Sequence, residues 1–103
     1  MFREGLCPRC GMLFAYPRER TAAFWMRNTL VPLDMIFMDR DGVVVGLHER
    51  TVPMQERPLY TVPVPVRYVL EVNAGFAASH GLAVGRKVAL EDLFLKVVDY
   101  RWP

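Results

Sequence analysis

The stretch FWMRNTLVPLDMIF, residues 24–37, decides the fold of this chain. It sets an aromatic pair, a cation, an amide, a hydroxyl and a carboxylate among apolar residues, with Pro32 near its middle. Because side chains alternate along a strand, Phe24 and Trp25 point to opposite faces, and at least one of them belongs to the core. Proline rarely pairs inside a sheet. We therefore expect a strand over residues 22–27 and a stiff turn or edge segment over residues 28–33.

Downstream of this stretch, β-prone segments alternate with turn signals. Residues 35–39 and 43–48 flank Arg40-Asp41-Gly42, and a polar connection of this length that ends in glycine predicts a hairpin. Four prolines then fall within residues 51–66, which predicts a long ordered loop or an extended arm and not a helix.

The two ends of the chain supply the remaining elements. Residues 12–16 predict a strand that ends at Pro17, and residues 68–72 predict another. Asn73 suits the N-cap of a helix over residues 74–80, which Gly81 would close in the left-handed conformation. Further strands are expected at 86–90 and 93–100, although Glu91-Asp92 would also suit a helix start. Six or seven short strands and one short helix indicate a mostly β fold, a compact β-sandwich or barrel.

Composition restricts the functional class. The chain has 103 residues, which fits a single domain over residues 1–103, and 52% of them are hydrophobic. Its net charge of +2, with scattered cations, argues against a nucleic-acid partner. No apolar run is long enough to cross a membrane and no signal peptide is recognisable, so we expect a soluble cytoplasmic protein without membrane contact. All but two of the 13 basic residues are arginine, as in some thermophiles, but GC-rich coding gives the same bias.

Three blocks of sequence carry a family resemblance: GMLF at residues 11–14, FWMRNT with PLD and Phe37 at 24–37, and YVLEVNAGF at 68–76. They resemble the signature blocks of domain-of-unknown-function family 192, and the likeness extends from residue 1 to residue 88. The resemblance implies a small, mostly β, jelly-roll-like sandwich with no established activity.

Members of that family usually carry an extra strand and a short helix ahead of the segment that matches Met1-Phe2-Arg3. This sequence starts at that segment, and a lost strand would expose a sheet edge. We expect the edge to be covered either by a partner chain in a homodimer or by residues 93–103.

The cysteines, Cys7 and Cys10, lie in the sequence CPRC. They supply two of the four ligands of a zinc site, so they could form half of an intermolecular metal site. A redox dithiol is a second alternative, and incidental thiols or a local disulfide in a loop are a third. We expect no cofactor.

Candidate site residues come from the signature blocks. Arg27 could grip a carboxylate or phosphate with its planar fork, Trp25 offers a flat face to a sugar or ring, and Asn28 could orient a hydroxyl. Asp34 and Glu71 could share acid and base roles, or either could form a structural ion pair with Arg27. His48 next to a carboxylate at a strand end could act as a general base.

Three functions are compatible with these residues. The first is a non-catalytic module that presents Trp25, Arg27 and Asn28 to an anionic or sugar-like small ligand or to a protein. The second is a structural or assembly domain, which a homodimer would suit. The third is a small hydrolase that uses Asp34, Glu71 or His48, and it requires the two carboxylates to face one cleft.

Overall fold

The computed structural model describes residues 9–21, 23–24, 32–52, 60–89 and 96–101. Within these ranges the chain forms seven strands and one short helix. The elements, in chain order, are β1 (Cys10–Arg20), β2 (Ala23–Phe24), β3 (Leu33–Met38), β4 (Val44–His48), β5 (Tyr60–Thr61), β6 (Val66–Asn73), α1 (Phe76–Ser79) and β7 (Lys96–Arg101).

Five of the strands form one sheet in the order β4-β3-β6-β1-β7. The pairs among β4, β3, β6 and β1 are antiparallel, whereas β7 runs parallel to β1. The strands β2 and β5 form a separate antiparallel pair. The predicted mostly β fold with a short helix is thus confirmed, while the jelly-roll-like closure into a sandwich and the single domain stay predictions.

The two faces of the large sheet are both covered. Side chains alternate along β3 and β6, so Met35, Val69 and Glu71 lie on one face, while Asp34 and Val72 lie on the other. We call them the Glu71 face and the Asp34 face. Every residue of β3 is buried, as expected for a central strand covered on both sides.

A separate apolar cluster covers each face. The cluster on the Glu71 face comprises Tyr16, Leu33, Met35, Phe37, Val62, Val66 and Val69. The cluster on the Asp34 face comprises Ile36, Met38, Val44, Leu70, Val72, Ala77 and Leu82. Helix α1 therefore covers the Asp34 face through Ala77, and the segment that follows β5 reaches the Glu71 face through Val62.

The hairpin between β3 and β4 confirms the turn expected at Arg40-Asp41-Gly42. The amide of Asp39 donates to the carbonyl of Val43 at 3.0 Å, and that of Gly42 donates to the carbonyl of Asp39 at 3.1 Å. Gly42 has a φ of 79°, a value at which glycine is favoured.

The end of β1 differs from the expectation. The strand does not stop at Pro17 but continues to Arg20, with a register shift between Ala15 and Arg20. Proline lacks an amide hydrogen, and an irregular part of a strand accommodates it without losing a ladder bond. The strand expected at residues 86–90 is also not formed over residues 86–89, where only an isolated bridge joins Lys87 to Val43.

The helix is shorter than expected and is capped differently. It spans Phe76–Ser79, its N-cap is Gly75 and not Asn73, and Gly75 has no side chain with which to cap it. Gly81 does adopt a left-handed φ of 65°, as expected after a helix end. No helix in the described ranges is long and apolar enough to cross a membrane.

The edge of β1 is paired within the chain. Residues Cys10 to Ala15 pair in register with Lys96 to Arg101 of β7. This corresponds to the second of the two expectations for that edge, in which residues near the C-terminal end of the sequence cover it.

Candidate functional site

The structure describes only part of the predicted site. Trp25, Arg27, Asn28 and Cys7 lie outside the described residues. Asp34, His48, Glu71 and Cys10 lie within them.

Asp34 holds two loops against the sheet. Its side chain is fully buried on β3. Oδ1 accepts a hydrogen bond from the Arg50 amide at 2.9 Å, and Oδ2 accepts bonds from the amides of Gly75 and Ala77, each at 3.0 Å. A carboxylate that accepts three amide hydrogens replaces the solvation it loses on burial and caps the first turn of α1. Asp34 therefore has a structural task that the sequence did not reveal.

Arg50 and Thr51, which follow β4, are fixed to the start of β3. Arg50 is the only non-glycine residue with a positive φ in the described ranges, at 52°. The buried hydroxyl of Thr51 donates to the carbonyl of Leu33 at 2.9 Å and accepts from its amide at 3.1 Å. No pattern in the sequence marks either residue. Thr51 lies in no recognisable sequence motif, and the amide of left-handed Arg50 bonds Asp34, which is 16 residues away in sequence.

Glu71 is fully buried at the centre of the Glu71 face. It lies opposite Met12 on one side and opposite Met35 on the other. Within the described part of the chain its Oε2 atom accepts no hydrogen bond, although Glu71 does take part in another polar or electrostatic interaction. Asn73 is two residues further along β6 and shares this face. A buried carboxylate between two methionine positions is costly unless a charge or a hydrogen-bond donor meets it.

His48 belongs to the same face but is separated from Glu71. It lies opposite Met35, which in turn lies opposite Glu71. Two strand spacings, about 10 Å, therefore separate the backbones at His48 and Glu71. The imidazole is partly exposed and packs edge-on against Phe37, with ring centroids 5.7 Å apart.

The two predicted carboxylates do not form a pair. Asp34 lies opposite Val72 and Glu71 lies opposite Met35, so their side chains point to opposite faces of the sheet. The cleft with two facing carboxylates that glycoside hydrolysis needs cannot be built from Asp34 and Glu71.

The described residues offer little to a metal. Cys10 is disulfide-bonded, so its sulfur is not a thiolate ligand. No group of three or more His, Cys, Asp or Glu residues in the described ranges is arranged to hold a metal ion.

Comparison with known proteins agrees with the resemblance seen in the sequence. The sequence profile of domain-of-unknown-function family 192, described as an uncharacterised ACR, matches residues 1–90. No curated protein matches the chain.

Two solved structures are similar to this one. A "putative transcription regulator" from Sinorhizobium meliloti 1021 is 41% identical, with a TM-score of 0.77; the match covers 82% of this chain and 65% of that one. A protein of unknown function from Novosphingobium aromaticivorans DSM 12444 is 40% identical, with a TM-score of 0.79 and coverage of 86% and 63%. The chain thus spans less than two thirds of the length of either protein.

Proposed function

The chain belongs to domain-of-unknown-function family 192, and we propose that it is a non-catalytic binding module whose ligand site lies on the Glu71 face of the sheet. The observation that carries this proposal is the fully buried carboxylate of Glu71, placed between two methionines in the middle of a five-stranded sheet. Burial of such a group is retained where a specific charge or donor meets it.

Arg27 is the cation that we assign to Glu71. The sequence left two partners for Arg27, Asp34 and Glu71. The carboxylate of Asp34 already accepts three backbone hydrogen bonds on the opposite face, so Glu71 is the better partner. A guanidinium held on one side by a carboxylate has further N–H groups for a ligand oxyanion.

The ligand in this proposal is anionic or sugar-like. Trp25 would supply a flat apolar face, and Asn28 would orient a hydroxyl or carbonyl group of the ligand. Asn73, and His48 at the partly exposed end of the same face, would contribute polar atoms to the site. We favour binding without catalysis because Met35 lies between His48 and Glu71. Among the described residues, His48 is the only histidine on the Glu71 face.

The experiment is calorimetric titration with glucuronate, which joins a carboxylate to a sugar ring, and with acetate and glucose as its separate parts. We expect glucuronate to bind at millimolar concentration or better. Arg27→Ala should abolish the heat of binding. Because it leaves the buried Glu71 carboxylate without its cation, it should also lower the melting temperature, so binding is compared at a temperature at which both chains are folded. Arg86→Ala is the matched control, since Arg86 is exposed and its guanidinium donates to the Gly81 carbonyl.

Two results would overturn this function. Absence of binding for all three probes removes the anionic or sugar-like ligand. A large fall in melting temperature for Arg27→Ala, with unchanged binding, reduces Arg27 to a structural ion pair. A homodimer stays a prediction, which sedimentation of the full chain checks.

A further inference from the structure

An irregular part of β1 lies near two arginines, Arg20 and Arg67, at the end of β6 where that strand begins. Between the pairs Ala15–Tyr68 and Arg20–Val66, β1 advances five residues while β6 advances two. Three residues of β1 therefore have no counterpart, and the strand bulges around Pro17. A bulge turns side chains and carbonyl groups out of the ladder, where they can meet partners outside it.

Arg67 of β6 contacts the main chain of Tyr16 in this bulge. Its Nε–H donates a hydrogen bond to the carbonyl oxygen of Tyr16, and its guanidinium carbon lies 5.6 Å from the ring centroid of Tyr68. The side chain is partly buried. Because the hydrogen bond uses Nε alone, the two terminal nitrogens keep their planar pair of donors, and they are held by the bond and the ring.

Arg20 contacts the ring of the same tyrosine. Its guanidinium carbon lies 5.1 Å from the centroid of the Tyr16 ring, while the side chain is exposed. Cation–π contact restrains a guanidinium without using any of its N–H donors. Both guanidiniums are thus positioned by one residue, one by its ring and the other by its carbonyl.

No carboxylate neutralises this pair in the described part of the chain. Neither Arg20 nor Arg67 makes an ion pair there. The acidic residue of the bulge is Glu19, and its Oε2 accepts a hydrogen bond from the amide of Arg40 at 3.2 Å. Arg18 in the same segment is also exposed. The end of β1 therefore carries an excess of positive charge with preset donors.

We propose that Arg20 and Arg67 form an oxyanion site that takes the phosphate group of a small ligand. Paired, restrained guanidiniums match the several oxygens of a phosphate better than they match a single carboxylate. Arg67 precedes Glu71 by four residues on β6, which is about 13 Å along a strand. Arg67 shares the Glu71 face by strand alternation, but this distance separates the phosphate site from Glu71, so either site can fail without the other.

The test is calorimetric titration of the full chain with inorganic phosphate at low ionic strength, with chloride at equal ionic strength as the reference. We expect phosphate to bind while chloride does not. Arg20→Ala and Arg67→Ala should each weaken binding by about tenfold or more, the loss expected when a charged hydrogen-bonding partner is removed. Arg86→Ala should leave phosphate binding unchanged.

A conservative variant distinguishes recognition by the guanidinium geometry from non-specific attraction of phosphate to positive charge. Arg67→Lys keeps the charge but not the planar fork, so we expect binding weakened severalfold and a melting temperature near that of the parent chain. Three results would each overturn the proposal. The first is that the parent chain does not bind phosphate, and the second is that Arg67→Lys binds it as tightly as the parent does. The third is that Arg86→Ala weakens binding as much as Arg20→Ala does.

Discussion

Asp34 and Glu71 lie on neighbouring central strands of one sheet, and their side chains point to opposite faces. Both are fully buried. Asp34 is surrounded by backbone amides that it binds, whereas Glu71 lies between two methionines. The two acidic residues of the signature blocks thus have different tasks, one in holding loops and the other in the site that we propose.

Replacement of Asp34 tests its role in holding the loops. Asp34→Ala leaves three amides without their acceptor: that of Ala77, which is buried, and those of Arg50 and Gly75, which are partly buried. We expect a loss of about 3 to 5 kcal/mol in the free energy of unfolding, measured by urea titration. Asp41→Asn, at an exposed position of the hairpin, is the control and should change stability by less than about 0.5 kcal/mol. Similar losses for the two variants would contradict the structural role of Asp34.

Thr51 offers a second test of how the segment after β4 is fixed to β3. Thr51→Val keeps the shape of the side chain but removes the hydroxyl that bonds both the amide and the carbonyl of Leu33. Because the Leu33 amide then has no acceptor, we expect a loss of about 1 to 3 kcal/mol in chemical denaturation.

Thr51→Ser is the matched control for that variant. It keeps the hydroxyl and removes one methyl group, so it should cost less than Thr51→Val. If Thr51→Ser were the more damaging of the two, the methyl group and not the hydrogen bonds would hold this segment.

The close approach of Gly46 and Val62 predicts a strong coupling between them. A Cβ atom on Gly46 would lie 1.9 Å from Cγ1 of Val62, far inside van der Waals contact. Gly46→Ala should therefore destabilise the protein by at least about 2 kcal/mol through overpacking of the Glu71 face. Val62→Ala removes both γ methyl groups. In that background the loss of stability caused by Gly46→Ala should be smaller by at least about 1 kcal/mol. Additive effects in this double-mutant cycle would show that Val62 does not pack against Gly46.

Local signals in the sequence predicted the parts of the fold that local chemistry sets. The hairpin at Gly42 and the left-handed residue at Gly81 follow from turn and cap preferences, and both are confirmed. The prediction of Asn73 as the helix cap was wrong because Asp34 supplies the acceptor for the first amides of the helix. Asp34 lies 41 residues away from Gly75 in sequence. No local pattern reports such a bond.

The same distinction applies to the sites. Alternation along β3 and β6 contained enough information to separate Asp34 from Glu71, but only once the register of the two strands was known. Arg67 was missed because its task depends on a bulge in β1, which is remote in sequence. Pro17 was the available signal, and it marked the bulge and not the strand end that we expected.

The alkaline stability of the protein should depend on Tyr16. Burial raises the pKa of the Tyr16 phenol above its ordinary value of 10.0, and Arg20 offsets part of this effect. Above about pH 10 the unfolded chain loses this proton while the folded chain keeps it, so stability falls as the pH rises from that point toward the folded-state pKa. Tyr16→Phe has no such proton, and its free energy of unfolding should fall less between about pH 9 and about pH 11.

Arg20→Ala should steepen the fall of stability with pH in the chain that keeps Tyr16, because it removes the charge that lowers the pKa of the phenol. Urea titrations across this pH range measure both effects, and identical pH profiles for Tyr16→Phe and the parent chain would rule out a buried, neutral phenol.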